Sequence, residues 1–364
     1  MTTIPESREI PRGAEPERGP LGPKVESHLF VLDGWRAVSI LLVLATHLLP
    51  VGPKRWHLNA MSGLMGMSLF FTLSGFLITQ QLHAKHSVAA FFVRRLFRVV
   101  PLAWVYTFVA MLFVGTGFRM WVAHLCFAIN YDQRSITEIT GHFWSLCVEV
   151  HFYCAIGLLM AVTRFRGFLV IPVAWIGLVI LRAVVAPAGT IETHLRVDEI
   201  LSGSCLALAY LGYFGPAPLA LASRLPFVVL LGGLVVTSHP ATGVLNAFRG
   251  MVASLLIGHT VSLASSKRFD WLGHRALRYI AETSYALYVI HPLTGYGWLG
   301  SGPSLVKYTK RILTFALTFG LAHLSTYHLE RPFTALGKRL ATRIERRAAA
   351  RRSAAGVKVG PVEV

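Results

Sequence analysis

The sequence predicts an all-α, polytopic membrane protein with about ten transmembrane helices. Of its 364 residues, 54% are hydrophobic and only 14% are charged, whereas soluble domains have about 25% charged residues. The apolar residues form blocks of about 18–24, long enough to cross about 30 Å of hydrocarbon as a helix. The core of a soluble protein would not repeat such blocks ten times.

The predicted spans follow one another in a simple order. They cover residues 29–49, 62–82, 95–116, 142–162, 167–186, 199–214, 225–239, 243–264, 279–299 and 309–329. Between the third and the fourth span lies RMWVAHLCFAIN, whose apolar part is too short to cross a bilayer. We therefore expect this segment to be re-entrant or interfacial.

The net charge of the chain is +18. The basic residues lie between and after the apolar blocks, and this distribution is typical of the positive-inside bias of membrane proteins. No nucleic-acid-binding signature accompanies them, so nucleic acid is not an expected partner. With ten spans and both termini cytoplasmic, about 25 of the Lys and Arg residues fall on the inner side, as the positive-inside rule requires. An eleventh span would move several basic clusters outside.

The chain divides into a membrane domain and two polar tails. Residues 1–28 are rich in Pro, Glu and Arg, so we expect a disordered cytoplasmic tail. The transmembrane domain covers 29–333, and 334–364 is predicted to be a basic cytoplasmic tail. This second tail forms either a helix on the anionic inner leaflet or a solvated segment.

The first candidate site residues lie in LDGWRAVSILLVLATH, residues 32–47, which contains Asp33, Arg36 and His47. Arg36 and His47 are separated by about 16 Å along a helix and by about 20° around it, so they share a face. An arginine near mid-membrane costs about 2.5–3.5 kcal/mol and therefore usually faces a cavity or a partner. Arg36 as an interfacial anchor and His47 as a satisfied interfacial histidine are the alternatives, but neither explains the shared face.

The second group lies in AAFFVRRLFRVVPLAW, residues 89–104. Arg95 and Arg98 are three residues apart and lie on one helical face, with Arg94 one step around the helix. They form either an ordinary positive-inside cluster or a clamp for a cytoplasmic polyanion, because guanidinium groups match phosphate geometry. Coenzyme A would fit such a clamp.

The third group lies in GHFWSLCVEVHFY, residues 141–153, where Glu149 enters an apolar helix close to Trp144 and Ser145. A buried carboxylate persists only if it is paired or used, so Glu149 is either a partner for a buried arginine or a catalytic residue. Polar side chains also occur in SYALYVIHP, where helix–helix hydrogen bonding is the simpler explanation. They are Ser284, Tyr285, Tyr288 and His291.

Seven segments, taken together, resemble the acyltransferase type 3 family. They are LDGWRAVSILLVLATH, FFTLSGFLIT, RRLFRVVPLAW, HFWSLCVEVHFY, HLRVDEILSGSCLALA, ETSYALYVIHPL and LERPF. Each is weak alone, but all seven occur in the family's order between about residues 29 and 333.

The resemblance implies a multi-pass O-acyltransferase in a bacterial inner membrane. Its donor would be cytoplasmic acetyl-CoA or another acyl-CoA, without a metal. Its acceptor would be a hydroxyl of an envelope carbohydrate or of a secondary metabolite such as a macrolide antibiotic. Many family members continue into a soluble hydrolase-like domain, which this sequence does not contain.

The resemblance also assigns residues. The family's motifs fall on Arg36 and His47, on Arg95 and Arg98, on Ser74 and Gly75, and on Glu149. The catalytic candidates are therefore His47, Glu149 and Arg36 or Asp33, either of which could orient the base, and the candidates for acyl-CoA binding are Arg95, Arg98, the neighbouring Arg94, Ser74 and Gly75. On the acceptor side the candidates are Trp144 and Ser145, which a family motif covers, and Arg196 and Asp198, which the predicted topology places toward the outer half of the membrane. The sequence departs from the family at Val150 and His151, where an acid and a glutamine are common, so the acceptor surroundings are expected to differ.

These assignments give an expected mechanism. Acyl-CoA docks against Arg95 and Arg98, and His47 acts as a general base on the acceptor hydroxyl, since imidazole can accept a proton at neutral pH. An acyl-histidine intermediate is the other possible course. The alternative functions are a proton-coupled transporter of a small molecule, which charged residues in spans also suit, and a membrane scaffold. The absence of an internal repeat speaks against a transporter built from inverted halves.

Overall fold

A computed structural model of the chain describes residues 30–85, 87–114, 117–185 and 190–354. This part of the chain is α-helical and contains no strand, which confirms the all-α prediction. The predicted tail 1–28 and the last ten residues of the tail 334–364 lie outside the described residues.

Fifteen α-helices follow one another in these described ranges. They are α1 Phe30–Leu48, α2 Leu58–Lys85, α3 Val88–Met111, α4 Phe118–Leu125, α5 Phe143–Val162, α6 Val170–Val185, α7 Thr193–Arg196, α8 Asp198–Tyr210, α9 Ala217–Arg224, α10 Phe227–Ser238, α11 Arg249–Ser262, α12 Arg275–Thr294, α13 Ser304–Thr309, α14 Arg311–Ser325 and α15 Arg331–Ala354.

Six helical segments in the described residues are long and apolar enough to cross a membrane, so the protein is a multi-pass membrane protein. They are Phe30–Leu48, Leu58–Ala84, Phe143–Val162, Gly167–Val185, Pro240–Ser262 and Ser304–Arg351. The pair α9 and α10, bent by 92°, is a possible seventh. The predicted count of ten also needs α3, α8 and α12. α8 has only 13 residues, and α3 and α12 contain charged side chains, so the count and the orientation of the termini remain predictions.

The helices run between two ends of the bundle, which we name by the residues of α1. At the arginine end, α1 begins, α2 ends and α3 begins, since Gln81 of α2 accepts a hydrogen bond from Arg95 of α3. At the histidine end, α1 ends and α2 begins, since Thr46 donates to the Asn59 carbonyl over 3.0 Å. α1 packs between α2 and α12, and α2 packs against α8.

The segment predicted not to cross the membrane forms α4, whose eight residues span only about 12 Å. An ion pair anchors it to the chain that follows: Arg119 Nη2 lies 2.6 Å from Asp132 Oδ1. The hydrogen bond from Arg119 lowers the pKa of the Asp132 carboxyl to about 2. The ion pair therefore joins two parts of the connection between α3 and α5 to each other.

The end of the chain packs on the bundle. α14 continues through a π-helical turn, Thr326–Glu330, directly into α15, so the predicted boundary at residue 333 falls inside one continuous helix. α15 then runs antiparallel to α3, where Arg94 Nη1 and Glu345 Oε1 are 2.7 Å apart. α15 buries the face with Gly337 and Ala341, while most of its other residues are exposed, and the leaflet helix and the solvated tail both stay predictions.

Candidate functional site

The largest group of predicted site residues lines a cavity of about 360 Å³ at the arginine end. Six helices contribute to it: α1, α2, α3, α5, α12 and α15. Its charged and polar lining consists of Arg36, Ser74, Gln81, Arg94, Arg95, Arg98, Glu149, Tyr153, Ser284, Tyr285, Thr334 and Lys338. Pockets of this size commonly hold small molecules and cofactors.

The cavity is strongly basic. Five cationic side chains line it, with Glu149 as the one carboxylate among the lining residues. Glu345 pairs with Arg94, and Asp33 lies 3.7 Å from Arg36. The remaining excess of positive charge suits a ligand with several phosphate groups.

The arginines of α3 reach the cavity because their spacing places them on one side of the helix. The guanidinium of Arg95 lies 5.5 Å from the ring centroid of Tyr153 and 5.8 Å from that of Phe91, so aromatic faces hold it in place. Buried donors remain unsatisfied within the described residues: Nε and Nη2 of Arg94, and Nε of Arg95. Such donors are what an anionic ligand would need.

Glu149 is held by Ser74, whose hydroxyl donates a hydrogen bond of 2.6 Å to Glu149 Oε1. The adjacent Gly75 does not line the cavity. A Cβ atom there would lie 1.8 Å from the Ile200 carbonyl oxygen, so Gly75 allows α2 and α8 to pack closely. The Ser-Gly pair therefore combines a polar contact in the cavity with a packing contact behind it.

A narrow cleft of about 10 Å³ continues from the cavity along α1. It shares Arg36, Phe70 and Ser284 with the cavity, and it reaches Val43 and Tyr288. Its α1 residues follow Arg36 at helical spacing, on the face that leads to His47. The face of α1 that carries Arg36 and His47 thus borders this cleft from Arg36 to Val43.

His47 lies at the histidine end, outside the basic cavity, and its neighbours there are two buried histidines. The ring centroids of His47 and His291 are 5.1 Å apart, and those of His142 and His291 are 5.4 Å apart. Sequence reasoning gave His142 no role. It lies within the GHFWSLCVEVHFY segment, directly before α5, and nothing in that segment marks it as a neighbour of α12.

The predicted acceptor-side residues do not form one site. Ser145 contacts Tyr288, with their hydroxyl oxygens 2.5 Å apart. Trp144 packs under Arg196, whose guanidinium lies 5.2 Å from the tryptophan ring centroid. Arg196 and Asp198 belong instead to a separate buried ionic cluster.

That ionic cluster joins α6, α7, α8 and α11. Arg182 contacts Asp198 at 2.7 Å and Glu199 at 3.0 Å, while Arg249 and Arg196 approach the same Glu199 oxygen to 2.6 and 3.4 Å. All five side chains are at most 2% exposed. Three of them, Arg182, Glu199 and Arg249, were missed by sequence reasoning because they lie on different helices.

The structure thus brings one subset of the predicted residues together. Arg36, Ser74, Arg94, Arg95, Arg98 and Glu149 share one cavity. Asp33 lies beside it through Arg36. His47 lies at the other end of α1, apart from these residues and beside His291. Gly75 packs against α8, and Arg196 and Asp198 belong to the ionic cluster.

Comparison with known proteins gives one family and several relatives. Residues 30–329 match the model of the acyltransferase type 3 family, described as an acyltransferase domain. The chain is 24% identical over 372 residues to "Putative peptidoglycan O-acetyltransferase YrhL" of Bacillus subtilis (strain 168), covering 87% of this chain and 57% of that protein.

Two further relatives match over shorter segments. "Nodulation protein 10" of Rhizobium leguminosarum bv. viciae is 26% identical over 150 residues, or 34% of this chain and 41% of that protein. A "Putative O-acetyltransferase" of Staphylococcus aureus (strain COL) is 26% identical over 128 residues, or 34% and 19%. The chain thus spans less than two thirds of the length of these relatives. No solved structure matches it.

Proposed function

Because the chain belongs to the acyltransferase type 3 family, we propose that it transfers an acyl group, acetyl in the first instance, from acyl-CoA to a hydroxyl group. The acceptor is a carbohydrate of the cell envelope or a hydroxyl-bearing metabolite. The enzyme acts in a bacterial inner membrane, with both termini in the cytoplasm.

The basic cavity is the observation that supports this proposal. Coenzyme A carries a pyrophosphate and a ribose phosphate, and the cavity offers five cations from three helices together with unsatisfied guanidinium donors. Arginine pairs with phosphate through parallel hydrogen bonds. In this proposal the nucleotide end of acyl-CoA lies against Arg94, Arg95 and Arg98, at the cytoplasmic face.

The thioester end then extends along α1. Arg36 and His47 are about 16 Å apart along the helix axis, and the cleft past Ser39, Ile40 and Val43 follows this direction. An extended pantetheine arm widens the cleft and brings the thioester to His47. The acceptor approaches from the histidine end, where the His47 side chain is exposed.

The reaction is a direct acyl transfer. The His47 imidazole takes the proton of the acceptor hydroxyl, and the hydroxyl oxygen of the acceptor attacks the thioester carbonyl carbon. A carbon–oxygen bond forms, the carbon–sulfur bond breaks, and the coenzyme A thiolate leaves and receives the proton from His47. A positioned base of this kind contributes about 10²–10⁴ in rate.

Polar residues in the cavity position the donor. Glu149, held by Ser74, lines the cavity, and Arg36, beside Asp33, lies where the cavity meets the cleft. In the proposal they orient the donor through hydrogen bonds. The name of the Bacillus relative favours a glycan hydroxyl as acceptor over a secreted metabolite.

The test uses membranes that contain the wild type, His47→Ala or His259→Ala at matched protein levels. His259, on α11, is a matched control because it is a buried histidine whose Nδ1 bonds the carbonyl of Ala222 on α9. Acetyl-CoA labelled in its acetyl group is supplied, and the label is followed into lipids, glycans and small molecules.

We expect label in one acceptor fraction with the wild type and with His259→Ala, and none with His47→Ala. Equal labelling by a folded His47→Ala variant would remove His47 as the base. If no membrane transfers label from any acyl-CoA, the acyltransferase proposal fails, and uptake by sealed vesicles becomes the test of a transporter.

A further inference from the structure

The region around His47 contains two other histidines with very different surroundings. His47 is exposed at the end of α1. His291 on α12 is fully buried, and His142, at the beginning of α5, is 8% exposed. The ring contacts of 5.1 Å and 5.4 Å place His291 between the other two.

The hydrogen bonding of His291 follows from the proline after it. Pro292 lies inside α12 and has no N–H, so the carbonyl of Tyr288, four residues earlier, lacks its usual helical donor. His291 Nδ1 lies 2.7 Å from this carbonyl oxygen. The side chain thus supplies the hydrogen bond that the backbone cannot make.

This contact fixes the tautomer of His291. A carbonyl oxygen only accepts, so Nδ1 must bear the proton, and in the neutral ring Nε2 then has a lone pair. Nε2 of this fully buried side chain has no hydrogen-bond partner among the residues that the structure describes. A buried acceptor without a donor is costly, which suggests that a donor engages it.

His142 cannot be that donor. Its Nε2 lies 3.1 Å from the Val289 carbonyl oxygen, so Nε2 bears the proton and Nδ1 is a second bare acceptor. The Tyr288 hydroxyl cannot donate to His291 Nε2 either, because its one proton is donated to the His142 carbonyl over 2.6 Å. Of the three side chains whose rings contact His291, His47 is left as the donor, through its N–H.

We propose that His291 is a positioning residue for His47. One ring N–H of His47 donates to His291 Nε2, and this hydrogen bond leaves the other His47 nitrogen unprotonated and directed toward the acceptor hydroxyl. The inference rests on the proposed acyl transfer, and it adds a second histidine, supplied by α12, that sets the orientation and tautomer of the base.

Two amide substitutions separate positioning from a purely structural role. His291→Asn keeps a donor near the Nδ1 position for the Tyr288 carbonyl but removes the acceptor at Nε2. His291→Gln places its amide oxygen near the Nε2 position and keeps the acceptor. The initial rate of label transfer is measured against acetyl-CoA concentration in the membranes described above, with His259→Asn as the matched control.

We expect His291→Asn to lower kcat by about 10²-fold, the smaller end of what a positioned base contributes. His291→Gln should retain more activity, and KM for acetyl-CoA should be unchanged in both. Pro292→Ala, which returns an N–H to compete for the Tyr288 carbonyl, should also lower kcat without lowering thermal stability.

The proposal would be overturned if the two variants did not differ in kcat in the expected direction. If His291→Asn is as active as His291→Gln or more so, the residue serves the Tyr288 carbonyl and does not orient His47. A change confined to KM would equally contradict it. In either case wild-type transfer and its loss in His47→Ala would persist, so the failure is distinct from failure of the acyltransferase proposal.

Discussion

At the residue scale, the basic cavity depends on guanidinium groups that aromatic faces and single polar partners hold in place. Tyr153 and Phe91 flank Arg95, and Glu345 holds Arg94. Arg98 makes no ion pair within 4.0 Å in the described part of the chain, and the nearby Glu330 carboxyl interacts with it electrostatically over a longer distance. Arg98 is therefore a cation of α3 whose guanidinium can still pair with a phosphate.

Arg98→Gln tests this availability. A charge-assisted hydrogen bond to phosphate contributes about 1.5–3 kcal/mol, so we expect KM for acetyl-CoA to rise by about tenfold or more, with little change in kcat. Arg346→Gln, at an exposed position of α15, is the control and should leave KM unchanged. If Arg98→Gln had the wild-type KM for acetyl-CoA, the nucleotide end of acyl-CoA would not bind against Arg98.

At the scale of single elements, the close approach of α2 and α8 holds Ser74 in its place. Gly75 and Gly203 face each other across this contact. Cβ atoms at these positions would lie 1.8 Å from the Ile200 carbonyl oxygen and 1.9 Å from that of Thr72. The backbones touch, so neither helix can accept a methyl group without moving.

Gly75→Ala is therefore expected to destabilise the protein by about 1–3 kcal/mol, as overpacking does. Gly177→Ala is the matched control, since a Cβ there meets nothing within 4 Å, and alanine is favoured over glycine in a helix by about 0.5–1 kcal/mol. Thermal unfolding in detergent measures both. Equal melting temperatures for the two variants would contradict the prediction, because they would show that α2 and α8 can move apart to accept a methyl group at little cost in stability.

At the scale of the whole molecule, Glu199 connects three helices through three buried arginines. Arg182, Arg196 and Arg249 all approach its Oε1 atom. Asp198 is the second acid in the cluster, and it pairs with Arg182. Removing the charge of Glu199 leaves three buried guanidinium groups facing one another, with Asp198 to compensate.

Glu199→Gln should consequently lower the free energy of unfolding by about 3–5 kcal/mol, the cost of breaking a buried ion pair from one side. The control is Glu138→Gln, at an exposed position between α4 and α5, which should change stability little. Thermal unfolding and the yield of folded protein in membranes report the difference. A Glu199→Gln protein as stable as wild type would contradict a structural role for this cluster.

The sequence by itself determined the all-α architecture, its membrane-spanning character, the helix that places Arg36 and His47 on one face, and the arginine row of α3. These features depend on composition and on residue spacings within about three turns of a single helix, so the local sequence encodes them. The family could also be recognised from the order of its segments.

Only the tertiary structure decided which elements meet. The contact of Arg94 with Glu345 joins residues 251 apart, and that of Tyr288 with His142 joins residues 146 apart. The sequence gave His142 no role and did not predict that α15 packs against α3. Such pairings depend on how helices pack against one another, and local patterns contain no record of a partner on a distant helix.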